Sequence, residues 1–335
     1  MVSLLHRVGS LFRFSRPLHL RIWALLIACA SANAFAQDYP NRPIRFIVTF
    51  LPGGPADTVS RLIASKLTDA WRQQVVIDNR AGANGIIGSE TGARAAPDGY
   101  TMLYINTSFT INASLYPKLP YDSVKDLTPV TPMAAGPALL VVGLSVPVRS
   151  VQELIALAKA KPGELSYGSS GNGSPSHLSV ELLKREAKID ILHVPYKGAA
   201  GVVTDMFAGQ IQMTMSTIAA VLPYVKANRL RALAVTSAKR WPATPDVPTI
   251  AEAAVPGYVQ SNWHGIAMPA GAPSAIVAKV NAELARIARL PDVRERLEFL
   301  GMAPLSMPPT EFAAFVKADI GNWARVVKLS GAKPE

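Results

Sequence analysis

Residues 49–67 read TFLPGGPADTVSRLIASKL, and they connect a strand-like run, PIRFIVTF at 43–50, to an amphipathic helix. Two glycines and two prolines break the chain sharply between these elements. In an open parallel sheet, ligands bind beyond the carboxyl ends of the strands. There a helix N-terminus offers unpaired N–H groups and a positive dipole end, and glycines allow close approach. The stretch therefore predicts an anion-binding loop at 52–57.

The same loop also fits a purely structural interpretation. It lacks the Gly-Lys-Ser/Thr of a Walker loop and does not match G-x-G-x-x-G, so neither nucleotide-binding motif is present. A tight turn in which Asp57 is the N-cap of the helix and Arg61 pairs with it one turn later would explain the residues equally well. The motif alone leaves both interpretations open.

Strand-like and helix-like segments alternate along the chain. VVIDN at 75–79 and YTMLYIN at 100–106 are strand-like, whereas SVQELIALAKAK at 150–161 has helical periodicity. Alternation of this kind predicts an α/β fold with parallel-rich sheets covered by helices.

Two such β–α successions are separated near residue 137 and again near residue 256. We therefore predict two lobes, one made of residues 37–137 plus 256–335 and the other of residues 138–255. Two crossings between lobes imply a two-strand hinge with a ligand cleft between them.

The first 36 residues have the pattern of a secretion signal. Four arginines and no acidic residue precede an apolar run at 22–30, and an Ala-x-Ala sequence ends at Ala36. We predict cleavage after Ala36 and a periplasmic product. An alternative is lipidation at Cys29, since LIAC at 26–29 resembles a lipobox. Cleavage leaves 299 of the 335 residues and no cysteine, which excludes thiol chemistry and cysteine-ligated metals.

The charge balance favours small acidic ligands. The formal net charge is +11, and it falls to +7 without the four arginines of the signal. A mildly positive protein suits acidic small molecules. No dense run of Lys and Arg is present, so we expect no nucleic-acid partner.

A second loop, within YGSSGNGSPSHLSVELL at 167–183, repeats the strand, polar loop, helix pattern. Its serine hydroxyls could help hold a carboxylate from the other side of a cleft, or the loop could be a flexible serine-rich turn.

A serine hydrolase would need G-x-S-x-G, and the pattern fails here at Asn172. His177 then packs or caps, and no H-x-x-x-H pair suggests a metal. We expect no catalytic residue, metal or cofactor.

Four further residues follow predicted strands. Thr107 and Ser108 come after YTMLYIN and could face the cleft, and Tyr196 and Lys197 lie in HVPYKG at 193–198. Lys197 could meet an acid, although a solvated lysine is the common alternative.

Several segments together resemble one family, the Bug proteins, which are the periplasmic binding components of tripartite tricarboxylate transporters. They are YPNRPIRFIVTFLPGGPADTVSRLIA, VVIDNRAGANGIIGSE, AAPDGYTMLYIN, YGSSGNGSPSHL, HVPYKG, LRALAVTSAKRWPATPDVPTIAEA and PTEFAAFVKADIGNWARVVK. The resemblance implies a type II periplasmic-binding-protein fold whose two lobes close on a small carboxylate, without catalysis. It also implies that ligand is contacted by three loops, which correspond here to Gly53, Gly54, Pro55, Ala56 and Asp57, to Thr107 and Ser108, and to Ser169, Ser170, Gly171 and Ser174.

One departure from the family pattern concerns ligand charge. Where Bug proteins often carry acids, GQIQMTMST at 209–217 has Gln212 and Ser216. A serine cannot pair with an ammonium group at full charge. We therefore expect a dicarboxylate or aromatic acid without an ammonium group, bound by a monomer that delivers it to membrane permease subunits. The alternatives are a sensor that signals to a two-component histidine kinase and, less favoured, a serine hydrolase.

Overall fold

The computed structural model describes residues 39–334. The predicted secretion signal, with Cys29 and the cleavage position after Ala36, lies outside the described residues. Within them, the first strand, β1, is Ile44–Val48, and it leads through the glycine-proline loop into helix α1, Pro55–Trp71. Val59, Ile63 and Leu67 are buried at four-residue spacing, so one face of α1 packs on the sheet. The strand, loop and helix of the opening stretch are thus confirmed.

The first sheet contains six strands in the order β11-β4-β10-β3-β1-β2. β1 pairs in parallel with β2 and β3, whereas β10 is antiparallel to both β3 and β4. The remaining strands are β2 (Val75–Asn79), β3 (Thr101–Asn106), β4 (Leu127–Gly136), β10 (Asn262–Pro269) and β11 (Ala303–Pro304). The helices that accompany it are α2 (Ile86–Ala93), α3 (Thr107–Leu115), α9 (Ser274–Ile287), α10 (Pro291–Phe299) and α11 (Pro309–Ser330).

The second sheet contains five strands in the order β7-β6-β8-β5-β9. β6 is parallel to β7 and β8, and β5 is antiparallel to β8 and β9. Its strands are β5 (Ala138–Gly143), β6 (Ser166–Ser169), β7 (Leu192–Pro195), β8 (Met213–Thr217) and β9 (Leu230–Val235). Its helices are α4 (Val151–Ala160), α5 (Pro175–Ala187), α6 (Ala199–Phe207), α7 (Ile218–Lys226) and α8 (Ile250–Ala253).

The α/β fold with two sheets is confirmed, and both sheets are mixed. β5 and β10, which run antiparallel to their neighbours, are the strands at which the chain enters one sheet from the other. β4 of the first sheet is followed after one residue by β5 of the second, and β10 brings the chain back to the first sheet. The predicted lobe boundaries at residues 137 and 256 stay a prediction.

Strand β4 was not among the strands predicted from the sequence, and it contains Pro129 and Pro132, which are unusual inside a sheet. The ladder between β4 and β10 shifts register near both prolines. On its other side, β4 pairs with β11 only at Ala134 and Ala135. The prolines therefore lie where irregular or missing pairing tolerates a residue without an N–H.

No helix among residues 39–334 is both long enough and apolar enough to cross a membrane.

Candidate functional site

A cleft of about 670 Å³ is lined by residues that follow strands of both sheets. Eight of the predicted site residues line it, and six do not. The eight are Gly54, Pro55, Ala56, Thr107, Ser108, Ser170, Lys197 and Ser216. The six are Gly53, Asp57, Ser169, Gly171, Ser174 and Tyr196. That any of the fourteen contacts a ligand stays a prediction.

The first loop presents the N-terminus of α1 to the cleft. Gly54 is the N-cap residue, with φ −78° and ψ 174°, and Pro55 follows at the first helical position. Proline suits this position because it has no N–H to leave unpaired. Gly53, with φ +86°, supplies the left-handed turn that leads into the cap. The N–H groups of Ala56 and Asp57 belong to the first turn, where no intrahelical acceptor exists.

The structural interpretation of the loop required Asp57 to be the N-cap, but the N-cap is Gly54. Asp57 lies three residues after Gly54, is only 3% exposed, and accepts from the Gly53 N–H (2.9 Å) and from Asn79 Nδ2 (2.9 Å). Arg61 Nε donates to the same carboxylate at 2.8 Å, as the i, i+4 spacing predicted. The Asp57 side chain thus turns back toward the loop and holds it in place through the Gly53 N–H.

Opposing effects set the protonation of this carboxylate. Burial raises the pKa of Asp57, but hydrogen bonds from Arg61, the Gly53 N–H and Asn79 outweigh burial and bring the pKa from its usual 3.8 to about 2. Asn79 also donates to the Phe50 carbonyl at 3.0 Å, which connects the end of β2 to the loop after β1. Asp57 is therefore ionised at neutral pH and organises the loop.

Helix α3 begins at the end of β3 and presents a second N-terminus. Asn106 is its N-cap and accepts from the Phe109 N–H at 3.4 Å. Thr107 is buried, and its hydroxyl accepts from the Trp263 N–H at 3.1 Å. Thr107 and Ser108 line the cleft as predicted, and they also start a helix that the sequence pattern did not indicate.

A left-handed segment that sequence analysis missed also lines the cleft. Residues 82–85 all have positive φ, including the non-glycine residues Ala83 (φ 46°) and Asn84 (φ 51°). The Asn84 amide donates to Asn112 Oδ1 at 3.0 Å, and the Asn112 amide donates to the Asn84 carbonyl at 2.9 Å. Backbone strain of this kind persists where surrounding contacts hold it, and it concentrates at functional sites. The run Gly-Ala-Asn-Gly was the available signal.

The serine-rich loop between β6 and α5 divides its serines between structure and cleft. Ser174 is the N-cap of α5 and accepts from the His177 N–H at 3.3 Å. Ser169 is fully buried, with its Oγ 2.7 Å from His193 Nε2. Ser176 lines the cleft beside Ser170, and its Oγ accepts from the Ser170 N–H at 3.0 Å. Ser176 is thus a lining residue that the predicted set omitted.

The histidine near this loop is structural. His177 Nδ1 accepts from the Gly173 N–H at 3.0 Å, and the ring stacks on His193 with centroids 3.9 Å apart. Burial, followed by the nearby Lys184, lowers the pKa of His177 to about 4. His177 therefore packs and caps, as predicted, and it does not act as a base for Ser174.

Two neighbouring residues after β7 face different ways. The Tyr196 hydroxyl donates to Asp205 at 2.6 Å, and burial together with Asp205 raises the pKa of Tyr196 to about 12. Tyr196 is thus tied to α6. Lys197 lines the cleft directly before Gly198, the N-cap of α6.

The end of β8 brings Ser216 into the cleft wall, with Thr217 as the N-cap of α7. Gln212 does not line the cleft, because its side-chain oxygen accepts from the Ser166 N–H at 2.8 Å and from the Ser166 hydroxyl at 3.0 Å. Of the two departures noted in the sequence, only Ser216 is placed where it could meet a ligand.

The sequence of this chain matches a known protein family. A sequence model described as the tripartite tricarboxylate transporter family receptor matches residues 59–331. The chain belongs to this receptor family. Receptors of the family are periplasmic solute-binding proteins and not enzymes, so the prediction of a non-enzymatic binding protein is confirmed.

Individual relatives of the receptor agree. The protein BugT of Bordetella pertussis (strain Tohama I) is 36% identical over 318 residues, covering 94% of this chain and 98% of that protein. The resemblance to Bug proteins is therefore confirmed.

Two solved structures from Rhodopseudomonas palustris share the fold of the receptor. Rpa4515 with adipate is 38% identical, with a TM-score of 0.80 over 89% of this chain and 100% of that one. MatC (Rpa3494) with bound malate is 33% identical, with a TM-score of 0.75 over 86% of this chain and 100% of that one.

The receptor's cleft gathers the positive ends of six helices among the described residues. α1, α2 and α3 accompany the first sheet, and α5, α6 and α7 accompany the second. Each contributes its N-cap or a first-turn residue to the lining: Gly54, Gly85, Asn106, Pro175, Gly198 and Thr217. Within residues 39–334, the lining includes Lys197 as its one Lys or Arg and includes no Asp or Glu. The cleft is therefore suited to a negatively charged ligand.

Proposed function

We propose that this receptor captures a small organic carboxylate, either a dicarboxylate or an aromatic acid, in the cleft between its two lobes. The lobes close around the acid by a hinge motion. The receptor then delivers the acid to the membrane permease subunits of a tripartite tricarboxylate transporter.

One observation carries the proposal: six helix N-termini and Lys197 face the cleft, and no carboxylate does so among the described residues. Each helix N-terminus is equivalent to roughly half a positive charge and carries N–H groups without intrahelical acceptors. Three of the helices lie on each side, so an acid with carboxylates at both ends, or one end held from both sides, would find donors in either lobe. The apolar lining residues, such as Phe50, Val202 and Trp263, suit a hydrocarbon body between the polar groups.

The lack of an acidic lining residue supports a ligand without an ammonium group. An amino acid ligand would place its ammonium group among helix N-termini, where the described lining offers neutral groups such as the Ser216 hydroxyl but no carboxylate to receive it. The adipate and malate of the two solved relatives are acids of the proposed kind. We expect tight binding of dicarboxylates or aromatic acids and weak binding of aspartate and glutamate.

A thermal-shift panel tests the ligand class. The purified protein is first unfolded and refolded to remove copurified ligand. It is then mixed separately with four- to six-carbon dicarboxylates, citrate, tartrate, benzoate, phthalates, aspartate or glutamate. An acid at a hundred times its Kd stabilises the folded state by about 2.7 kcal/mol, which raises Tm by several degrees. A rise in Tm with aspartate and glutamate alone would contradict the expectation that the ligand lacks an ammonium group. No rise in Tm with any acid would contradict the proposed function.

Delivery to a permease has its own test. Deleting the gene should abolish uptake of the radiolabelled acid identified by the panel, and restoring it should recover uptake. Normal uptake combined with loss of acid-induced gene expression would instead support the sensor alternative.

A further inference from the structure

A buried hydrogen-bonded pair in the cleft wall has no part in the proposed function as stated above. The Tyr104 hydroxyl lies 2.5 Å from Nδ1 of His264, and both residues line the cleft. Tyr104 is fully buried and His264 is 7% exposed. Neither residue was predicted from the sequence, since 160 residues separate them.

The neighbouring Asn106 favours one direction for this hydrogen bond. Its Oδ1 accepts from the Phe109 N–H, so its amide NH₂ is the group that donates to the Tyr104 oxygen. The hydroxyl proton of Tyr104 then needs an acceptor of its own, and Nδ1 of His264 provides it. The ring proton of His264 is consequently placed on Nε2.

The surroundings keep both partners in these forms. Burial lowers the pKa of His264 to about 4, so the imidazole is neutral at pH 7. Burial also raises the pKa of Tyr104, so the hydroxyl keeps its proton. Chains of hydrogen bonds polarise one another, which strengthens Nε2–H as a donor.

The pair lies beside the N-terminus of α3. In the antiparallel ladder between β3 and β10, His264 is opposite Asn106, the N-cap of α3. The preceding residue on β10, Trp263, donates its N–H to the hydroxyl of Thr107, the first residue of α3. A carboxylate at this helix end would therefore be within the neighbourhood of the imidazole.

We propose that His264 is a ligand-contacting residue whose Nε2–H donates to a carboxylate oxygen held at the N-terminus of α3. Tyr104 and Asn106 are positioning residues that fix its tautomer. This inference rests on the proposed function, since it requires an organic acid in the cleft. It adds a neutral, directional donor to the backbone N–H groups, hydroxyls, side-chain amides and Lys197 of the described lining, and it makes residue 264 a determinant of which acids fit.

Nitrogen-15 NMR of the imidazole rings tests the tautomer in the unliganded protein. The His264 signal is assigned by its loss in His264→Gln. We expect the proton on Nε2 and a neutral ring at pH 7. A proton on Nδ1, or a charged ring, would overturn the inference without reference to any ligand.

Calorimetric titration with adipate, malate and benzoate as probes then tests the contact. His264→Leu should bind about 10- to 100-fold more weakly than the wild type, as expected for loss of a hydrogen bond to a charged group. His264→Gln, whose Nε2 can still donate, should stay within a few-fold. Tyr104→Phe should weaken binding and change the tautomer signal. Tyr167→Phe, which removes a buried hydroxyl that donates to Glu181 outside the cleft lining, is the matched control and should change neither.

The outcomes separate this inference from the function beneath it. Binding by the wild type with equal binding by His264→Leu would overturn the role of His264 and leave the function standing. No binding of any probe by the wild type would count against the function for these acids, and the inference would fall with it. Should His264→Leu not fold, saturating the wild type with a binding probe must shift the His264 Nε2 resonance, and an unmoved resonance would overturn the contact.

Discussion

The substitution Asp57→Asn tests whether the Asp57 carboxylate organises the first loop or contacts the ligand directly. In the wild type, the charge on Asp57 is balanced by Arg61 and stabilised by the N–H of Gly53 and the amide of Asn79. Asparagine keeps the size of the side chain but removes the charge, and its NH₂ group cannot accept from these donors. We therefore expect a less stable protein whose first loop is less well ordered.

The magnitude follows from the lowered pKa. A fall from 3.8 to about 2 corresponds to about 2.5 kcal/mol at about 1.4 kcal/mol per pKa unit. Because the side chain of Arg61 is 54% exposed, solvent screens part of the interaction, and we expect about 1 to 2 kcal/mol. Since the folded-state pKa is depressed, this stability is fully present above pH 3.8 and is lost as the pH falls through about 2.

Denaturant unfolding between pH 2 and pH 6, together with calorimetric titration at pH 7, provides the assay. The stability difference between wild type and Asp57→Asn should be largest above pH 4 and shrink toward pH 2, and the variant should bind acids more weakly. Asp122→Asn, which alters a carboxylate that caps another loop through Val124 and Lys125, is the control and should leave binding unchanged. Tighter binding of a dicarboxylate by Asp57→Asn would refute the reasoning, because it would mean that the wild-type carboxylate repels the ligand.

Three further substitutions probe the cleft. Gly54→Val should abolish detectable binding with little change in Tm. Valine can adopt the φ of −78°, and the nearest atom to its Cβ would be 3.8 Å away. Because Gly54 lines the cleft, the added methyl groups would take up space that the ligand needs. Unchanged affinity would mean that the opening stretch is only a tight turn. Ser216→Asp should weaken dicarboxylate binding about tenfold by like-charge repulsion, and unaltered titration curves would place residue 216 away from the ligand. Lys197→Gln should weaken binding several-fold and make the affinity less dependent on salt concentration, whereas an identical salt dependence would mean that Lys197 stays solvated.

The parts of the site that adjoin each other in sequence could be predicted. The run from β1 through Gly53 and Gly54 into α1 carries its own signals, and so do the serines before α5. Their spacing did not show which way each side chain points. Asp57 turns beneath its loop because Asn79, 22 residues later, is there to meet it. The Ser174 hydroxyl caps α5, and Ser176, two residues later, lines the cleft instead.

The remaining parts arise from tertiary pairing that no local pattern reveals. β10, with the sequence NWHGIAMP, lacks alternation and ends in proline, yet it brings His264 against Tyr104. The left-handed backbone at Ala83 and Asn84 depends on Asn112, which lies in α3. Asn84, Tyr104 and His264 line the cleft because tertiary contacts bring them there, not because of their immediate sequence.

A crystal structure with the acid that gives the largest thermal shift would test the central claim most directly. The account predicts the acid inside the cleft, with a carboxylate oxygen within about 3.2 Å of backbone N–H groups at the N-terminus of α1 or α3. An acid bound elsewhere, or bound in the cleft with its carboxylates directed to solvent and no contact with a helix N-terminus, would contradict it.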